Sequence, residues 1–369
     1  MTAKIAIADT GVVYRNPVPH LRAVHAMHPS VSVFSGQEMV ATFDLGQGPE
    51  SLDYHTVLAR SVDGGRTWRL ENRLVEHPPG PRTTHSVRTS LLSSGRMLGL
   101  GCFYRRDDPE EGILNRRNLG LVPCRLFLVE SGDRGKTWSP PRFFEAPLAS
   151  PGWEVSHNPL ELPGGRLALP LCTWRGWDGD LPCGQQALAF LSDDGGRTWP
   201  AYCRTFDGRA SGLIHWEQCV IPWDGGLLAV AWEFDIAAQK SNPSVYAIGR
   251  GDPPAFSPPG PTGFLAETCE LLPLDASQVL AVYRRVDRPG LWAAIALVER
   301  GVWTNGPALP LWQGARSHMM GNGAGADELS GIKFGSPSIK RLPDGGIILA
   351  FWCHEDEISI IRWIRLTLT

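Results

Sequence analysis

Ser61-Val62-Asp63-Gly64-Gly65-Arg66-Thr67-Trp68 decides the reading of this chain, because it returns as SGDRGKTW over Ser131–Trp138 and as SDDGGRTW over Ser192–Trp199. The copies begin roughly 60 to 70 residues apart, the interval of a repeated supersecondary unit. The first two follow stretches of alternating character, Thr56–Arg60 and Arg125–Val129, which places the pattern at hairpin tips. Its composition suits a tight turn. Asp accepts backbone N–H groups across it, Gly supplies a positive φ, the Thr hydroxyl ties the exit, and Trp covers the sheet below.

The chain has 369 residues, 43% hydrophobic and 20% charged, enough for a large core. A period of about 60 residues divides it into about six units, each the size of a four-stranded propeller blade. The 41 Gly and 31 Pro fit many tight turns, and no long amphipathic helix stands out. The expectation is an all-β chain, one six-bladed β-propeller domain over residues 1–369. The tail Ile358–Ile364 alternates like a strand and is expected to pair with one from Lys4–Ile7, closing the ring.

A net charge of −3 gives no bias toward nucleic acid or anionic membrane, and no basic run or spanning stretch occurs. The first residues, MTAKIAIADTGVVYRNP, lack the apolar core and cleavage site of a signal peptide, so a cytoplasmic location is expected. None of the eight cysteines forms a CxxC pair. Several lie in apolar strands, and buried free thiols are expected.

A second pattern recurs: a polar cluster, a short strand, a Gly turn, then an apolar strand. Its clearest copy is Ser336–Gly345 followed by Ile347–Trp352. Others begin near His25, His85, Glu154, His215 and Glu267, and with Phe334 they make six. The innermost strands of a propeller surround its axis, so these clusters converge there. They read His25-Ala26-Met27-His28, His85-Ser86-Val87-Arg88, Glu154-Val155-Ser156-His157, His215-Trp216-Glu217-Gln218, Glu267-Thr268-Cys269-Glu270 and Lys333-Phe334-Gly335-Ser336. Four of the six hold histidine, although the chain has only 10, and converging polar groups in a concavity mark a ligand site. No HxH or HExxH spacing points to a metal, and no cofactor is expected.

The three turns are identified as Asp-boxes, and the chain resembles the sialidase superfamily of propellers. The resemblance implies boxes on the periphery, away from the substrate face. It also implies a catalytic acid/base Asp before the strand leading to the first box, where Asp53 stands, and a catalytic Glu opening the inner strand after the third box, where Glu217 stands. The rest of that family's set is not matched. Met27 stands at its first arginine, Trp232-Glu233 near its second, and Ser336 at its nucleophilic tyrosine. The third has no clear counterpart near Glu267, although Arg284 and Arg285 follow along that blade.

The resemblance and the converging clusters together imply a carbohydrate-active enzyme with a saccharide substrate. A glycosidase needs two differently tuned carboxyls, for which Glu217, Asp53, Glu154 and Glu267 are available, with Glu217 as nucleophile or base and Asp53 as proton donor. His25, His28, Arg88, His215 and Glu267 are expected to contact substrate, and Trp153, Trp174, Trp177 and Trp216 to stack on sugar faces. A competing reading is β-elimination from a uronic acid using His85, Arg88, Tyr104, His157 and His215. A third is a sugar-binding propeller without catalysis.

Overall fold

The computed structural model describes residues 4–76, 80–155, 157–315 and 331–369; Ser156 of the third polar cluster lies outside them. Six antiparallel sheets follow one another along the chain as the blades of a β-propeller. The one helical turn among the described residues is Pro163–Gly165. We number the blades 1 to 6 by their innermost strands: His25–Val33, Thr83–Leu91, Gly152–Glu154, Leu213–Trp223, Ala266–Pro273 and Phe334–Arg341. Each starts at or next to the polar cluster expected from the sequence.

The second strands are continuous apolar runs rather than alternating ones. Met39–Gly46 and Leu167–Trp174 are buried at every position, because a blade packs against a neighbour on both faces. The outer strand of blade 1, Arg69–Arg73, is mostly exposed and correspondingly charged. Blade 6 takes its outermost strand from the other end of the chain. Ile5–Arg15 pairs antiparallel with Ile358–Leu368, setting Ile5 opposite Leu368 and Arg15 opposite Ile360. The ring is thereby closed through main-chain hydrogen bonds, as the alternation of the tail required.

Each boxed turn joins the third strand of its blade to the fourth. In the second, the Ser131 hydroxyl donates to Asp133 at 2.8 Å and accepts the Gly135 N–H at 2.8 Å. Asp133 accepts the Thr137 N–H at 2.9 Å and its hydroxyl at 2.6 Å, and the other two boxes repeat the arrangement. Trp199 is buried, whereas Trp68 and Trp138 are only half-buried. The boxes also join blades. Asn72 of blade 1 donates to the Lys136 carbonyl at 2.8 Å, and Arg142 of blade 2 to the Gly196 carbonyl at 2.5 Å.

Register fixes which face the boxes occupy. Ser61, where the first box begins, pairs with Met39, and Met39 pairs with Val33 at the far end of the innermost strand. His25, at the near end, pairs with Gly46. The box therefore lies at the opposite end of the blade from His25.

Candidate functional site

Regular pairing of an innermost strand with its neighbour would send alternate side chains to the two blade faces and none squarely to the axis. In blades 1, 4, 5 and 6 that pairing is interrupted, between Met27 and Ser30, Trp216 and Cys219, Glu267 and Cys269, and Gly335 and Ser338. Each interruption holds one non-glycine residue with positive φ: His28 at 55°, Glu217 at 45°, Thr268 at 49° and Ser336 at 46°. A β-bulge of this kind re-aims a side chain. These four, with Arg88, His157 and Glu270, line a concavity on the axis. Blade 2 has no such break. In blade 3 the innermost strand is split into Gly152–Glu154 and Leu160–Glu161, and His157 stands in the gap.

Two buried networks support the wall. Asp44, fully buried on the second strand of blade 1, accepts from Thr56 Oγ1 at 2.6 Å, Ser86 Oγ at 2.9 Å, Arg88 at 3.0 Å and Tyr54 Oη at 3.3 Å. His28 Nδ1 lies 3.2 Å from the same carboxylate. Burial raises the proton affinity of Asp44, but the Arg88 guanidinium and the hydrogen bonds from His28 and Thr56 outweigh it and hold the carboxyl far below its usual range. Burial and Arg88 also keep His28 below its usual value. The second network joins Arg284 to Glu267 at 3.1 Å, both buried, with Ser241 donating to the same carboxylate at 3.0 Å. Gly335 makes room for it: a Cβ there would stand 2.6 Å from an Arg284 nitrogen.

Between these networks lies Glu217. Its carboxylate accepts a hydrogen bond from the Thr268 hydroxyl across the seam of blades 4 and 5. Burial pushes its pKa up to about 7, with Glu154 and Glu267 adding to the effect and Arg284 and Arg88 opposing it. Near neutrality the group exists in both protonation states, the condition for giving and taking a proton.

The residues singled out from sequence fall into two sets. His28, Arg88, His157 and Glu217 meet on the cavity wall; His25, Asp53, His85, Glu154, His215, Glu267, Trp153 and Trp216 are not part of that wall. His85 is one residue out of phase with Ser86 and Arg88, and packs against Phe103 and Phe127 at ring distances of 5.5 and 6.4 Å. His215 stacks on Phe206 at 5.0 Å, with Nε2 3.2 Å from Glu233. His25 sits at the seam of blades 1 and 6, its Nε2 3.1 Å from that of His354.

Glu154 lies near enough to Glu217 and Cys172 to act on their charge. Asp53 is exposed in its loop. Partial burial raises its proton affinity, but hydrogen bonds from Ser51 and the Gln47 N–H prevail and hold it below the usual range.

Trp153, Trp174 and Trp216 are packing groups. Trp153 meets Phe190 edge-on at 5.1 Å, and Trp216 lies against Trp174 and Trp232, each at 4.8 Å. Sequence alone singles out neither Asp44 nor Tyr54, and it places Thr268 and Glu270 only within the fifth polar cluster. One signal for Asp44 was available: a lone carboxylate inside the apolar run MVATFDLG. All eight cysteines are free thiols, six of them buried.

Among solved structures, the chain is similar over 99% of its length to 99% of a protein of unknown function from Dyadobacter fermentans, with TM-score 0.76 and 18% identity. It is also similar to the Hadza microbial sialidase Hz136, with TM-score 0.67, 14% identity, and coverage of 96% of this chain and 68% of that one. The leech intramolecular trans-sialidase gives TM-score 0.65 at 11% identity, over 98% of this chain and 70% of that one. No family model matches the sequence, and no curated protein matches it. At these identities the likeness establishes a sialidase-like propeller fold.

Proposed function

We propose that this chain is a carbohydrate-active hydrolase whose reaction centre is the axial cavity, with Glu217 as the acid/base residue acting on a glycosidic oxygen. The observation that carries the reading is the bulge at Glu217. Left-handed backbone at a glutamate costs energy, and here it turns a carboxyl onto the wall of a polar concavity, where Thr268 fixes its orientation. Glycosidic cleavage needs a group that protonates the leaving oxygen, a role that the raised pKa of Glu217 and its position on the wall support. Asp53, held as an anion outside the wall, suits the donor's role poorly. Arg88, backed by Asp44, offers donors for sugar hydroxyls or a sugar carboxylate, and His28, whose Nδ1 proton goes to Asp44, leaves Nε2 as an acceptor for a hydroxyl.

The elimination reading would use a different pair than the sequence suggested, Tyr54 Oη and His28 Nδ1 at 3.3 Å, but Tyr54 is buried against Asp44 and is not part of the cavity wall. A panel of glycosides and uronate oligosaccharides separates the reactions, hydrolysis by reducing-end release alone and elimination by absorbance of an unsaturated uronate. Glu217→Gln keeps the shape of the side chain and should lower reducing-end release by about 10²- to 10⁴-fold with an unchanged melting temperature. Near-normal hydrolysis by that variant would remove Glu217 from the reaction.

A further inference from the structure

Three side chains from three consecutive blades converge beside the cavity: His157 of blade 3, Cys219 of blade 4 and Glu270 of blade 5. One donor atom from each lies within 4.8 Å of the other two. His157 Nε2 is 3.5 Å from the Glu270 carboxylate and has no hydrogen-bond partner, although it is buried.

Its other nitrogen explains which way the ring is set. Nδ1 lies 2.9 Å from the Asn158 carbonyl oxygen, which can only accept, so Nδ1 carries a proton there and Nε2 is the nitrogen turned toward Glu270. A backbone carbonyl holding the far nitrogen is the outer support that metal-binding histidines use. Cys219 has a comparable support: its sulfur accepts the Leu271 N–H at 3.4 Å. The same backbone segment thus supplies a ligand, Glu270, and the support of a second, Cys219.

We propose that His157, Cys219 and Glu270 form a binding site for a divalent metal ion of zinc's class. An imidazole, a thiolate and a carboxylate together select a borderline ion such as Zn²⁺ over Mg²⁺ or Ca²⁺, which prefer oxygen alone. Three protein ligands leave a tetrahedral ion one open position. His157 and Glu270 line the cavity, whereas Cys219 is buried and does not, so the ion would sit at the border of the concavity. The ion would also clip three blades together at the axis. None of this rests on the hydrolase reading, since the ligand set is defined by donor geometry alone.

The test is metal binding by the whole purified chain, stripped with a chelator and titrated with Zn²⁺ or Co²⁺. About one ion per chain is expected by elemental analysis, with a thiolate-to-cobalt charge-transfer band in the near ultraviolet and a melting temperature raised by Zn²⁺. Cys219→Ala should abolish the band and weaken binding by about 100-fold or more, beyond what loss of an outer support costs. Glu270→Gln and His157→Asn, on less deeply packed side chains, should weaken it comparably and keep the test decisive if Cys219→Ala does not fold.

Cys183→Ser, at a thiol distant from the triad in sequence, should bind as the parent does. A parent chain that takes up no stoichiometric metal, or cobalt binding without a thiolate band, overturns the proposal. So does equal binding by Glu270→Gln. Glu217→Gln should retain metal while losing turnover, so failure of the metal site and failure of the hydrolase reading give different results.

Discussion

The boxed turns and the axial bulges both depart from regular strand, but they are built in opposite ways. A box satisfies itself within eight residues: Asp133 bonds Thr137, and Ser131 bonds Gly135, four positions apart in each case. Its positive φ falls mainly on glycines, such as Gly135 at 82°. A bulge satisfies itself across the molecule. Glu217 meets Thr268 of the next blade, while the positive φ is carried by His, Glu, Thr and Ser. Non-glycine residues in ordinary turns, such as Asp224 and Arg300, also carry positive φ; what sets the four bulge residues apart is that they gather around one cavity, which supports reading it as a site. The periphery follows local rules, and the centre departs from them.

The sharpest way to break this contrast is at Asp44. Its carboxylate is buried with Arg88 and receives four further polar contacts, so Asp44→Ala strands a buried guanidinium and should cost about 3–5 kcal/mol in urea unfolding. Adding Arg88→Met should recover part of that loss. Asp133→Ala, whose released partners find water, should cost clearly less. If the two single variants were equally stable, the buried network would be no more demanding than an exposed turn.

That asymmetry also explains what the sequence made legible. Blade number, blade starts and ring closure could be read because each depends on a contiguous pattern: the box, the Gly turn, or the alternation of Ile358–Ile364. The wall of the cavity could be read only as a set of neighbourhoods. Within each innermost strand, a shift of one residue exchanges a wall position for a packing position. His85 and Arg88 are three apart, and one packs on phenylalanines while the other faces the cavity. Bulges add a further residue at places no propensity marks, so Glu217 and Thr268 turn inward while His215 and Glu267, at the same ends of their strands, do not. Glu270 reaches the wall in company with residues from two other blades, a long-range fact that no local pattern encodes.

Within the periphery, the boxes differ among themselves. Trp199 is 2% exposed and packs against Phe144 at 5.8 Å, whereas Trp138 is half-buried. Trp199→Ala should approach the roughly 3–5 kcal/mol of a fully packed aromatic, and Trp138→Ala should lose less. Equal losses in thermal unfolding would mean that the tryptophans act through the turn rather than through packing.

The seam of blades 1 and 6 carries a pH signature. Burial, with His354, His28 and Lys333 nearby, lowers the His25 pKa to about 3, while an unfolded histidine titrates near ~6.5. Between these values the unfolded chain takes up a proton that the folded chain refuses, so stability falls as the pH drops through that window and is fully present above it. His25→Phe keeps a ring against Trp352 and should reduce the slope of stability against pH between about 6.5 and 3, leaving the share of His354, which is shifted the same way. An unchanged slope would show that this histidine is solvated in the folded protein.

The smallest effect is a matter of sign. Ser336 holds φ at 46° in the bulge of blade 6, a conformation costing an L-residue about 1–2 kcal/mol, and glycine adopts it freely while losing more chain entropy on folding. Ser336→Gly should therefore stabilise the fold by something under about 1 kcal/mol. At the periphery the expected sign is reversed. Gly135 holds φ at 82°, and a Cβ there would stand 2.5 Å from Leu58, so Gly135→Ala should destabilise. Paired urea titrations read both changes against the parent. Opposite signs would place the strain at the cavity and the relaxed geometry in the turn, while destabilisation by both variants would mean that Ser336 makes contacts worth more than its backbone costs.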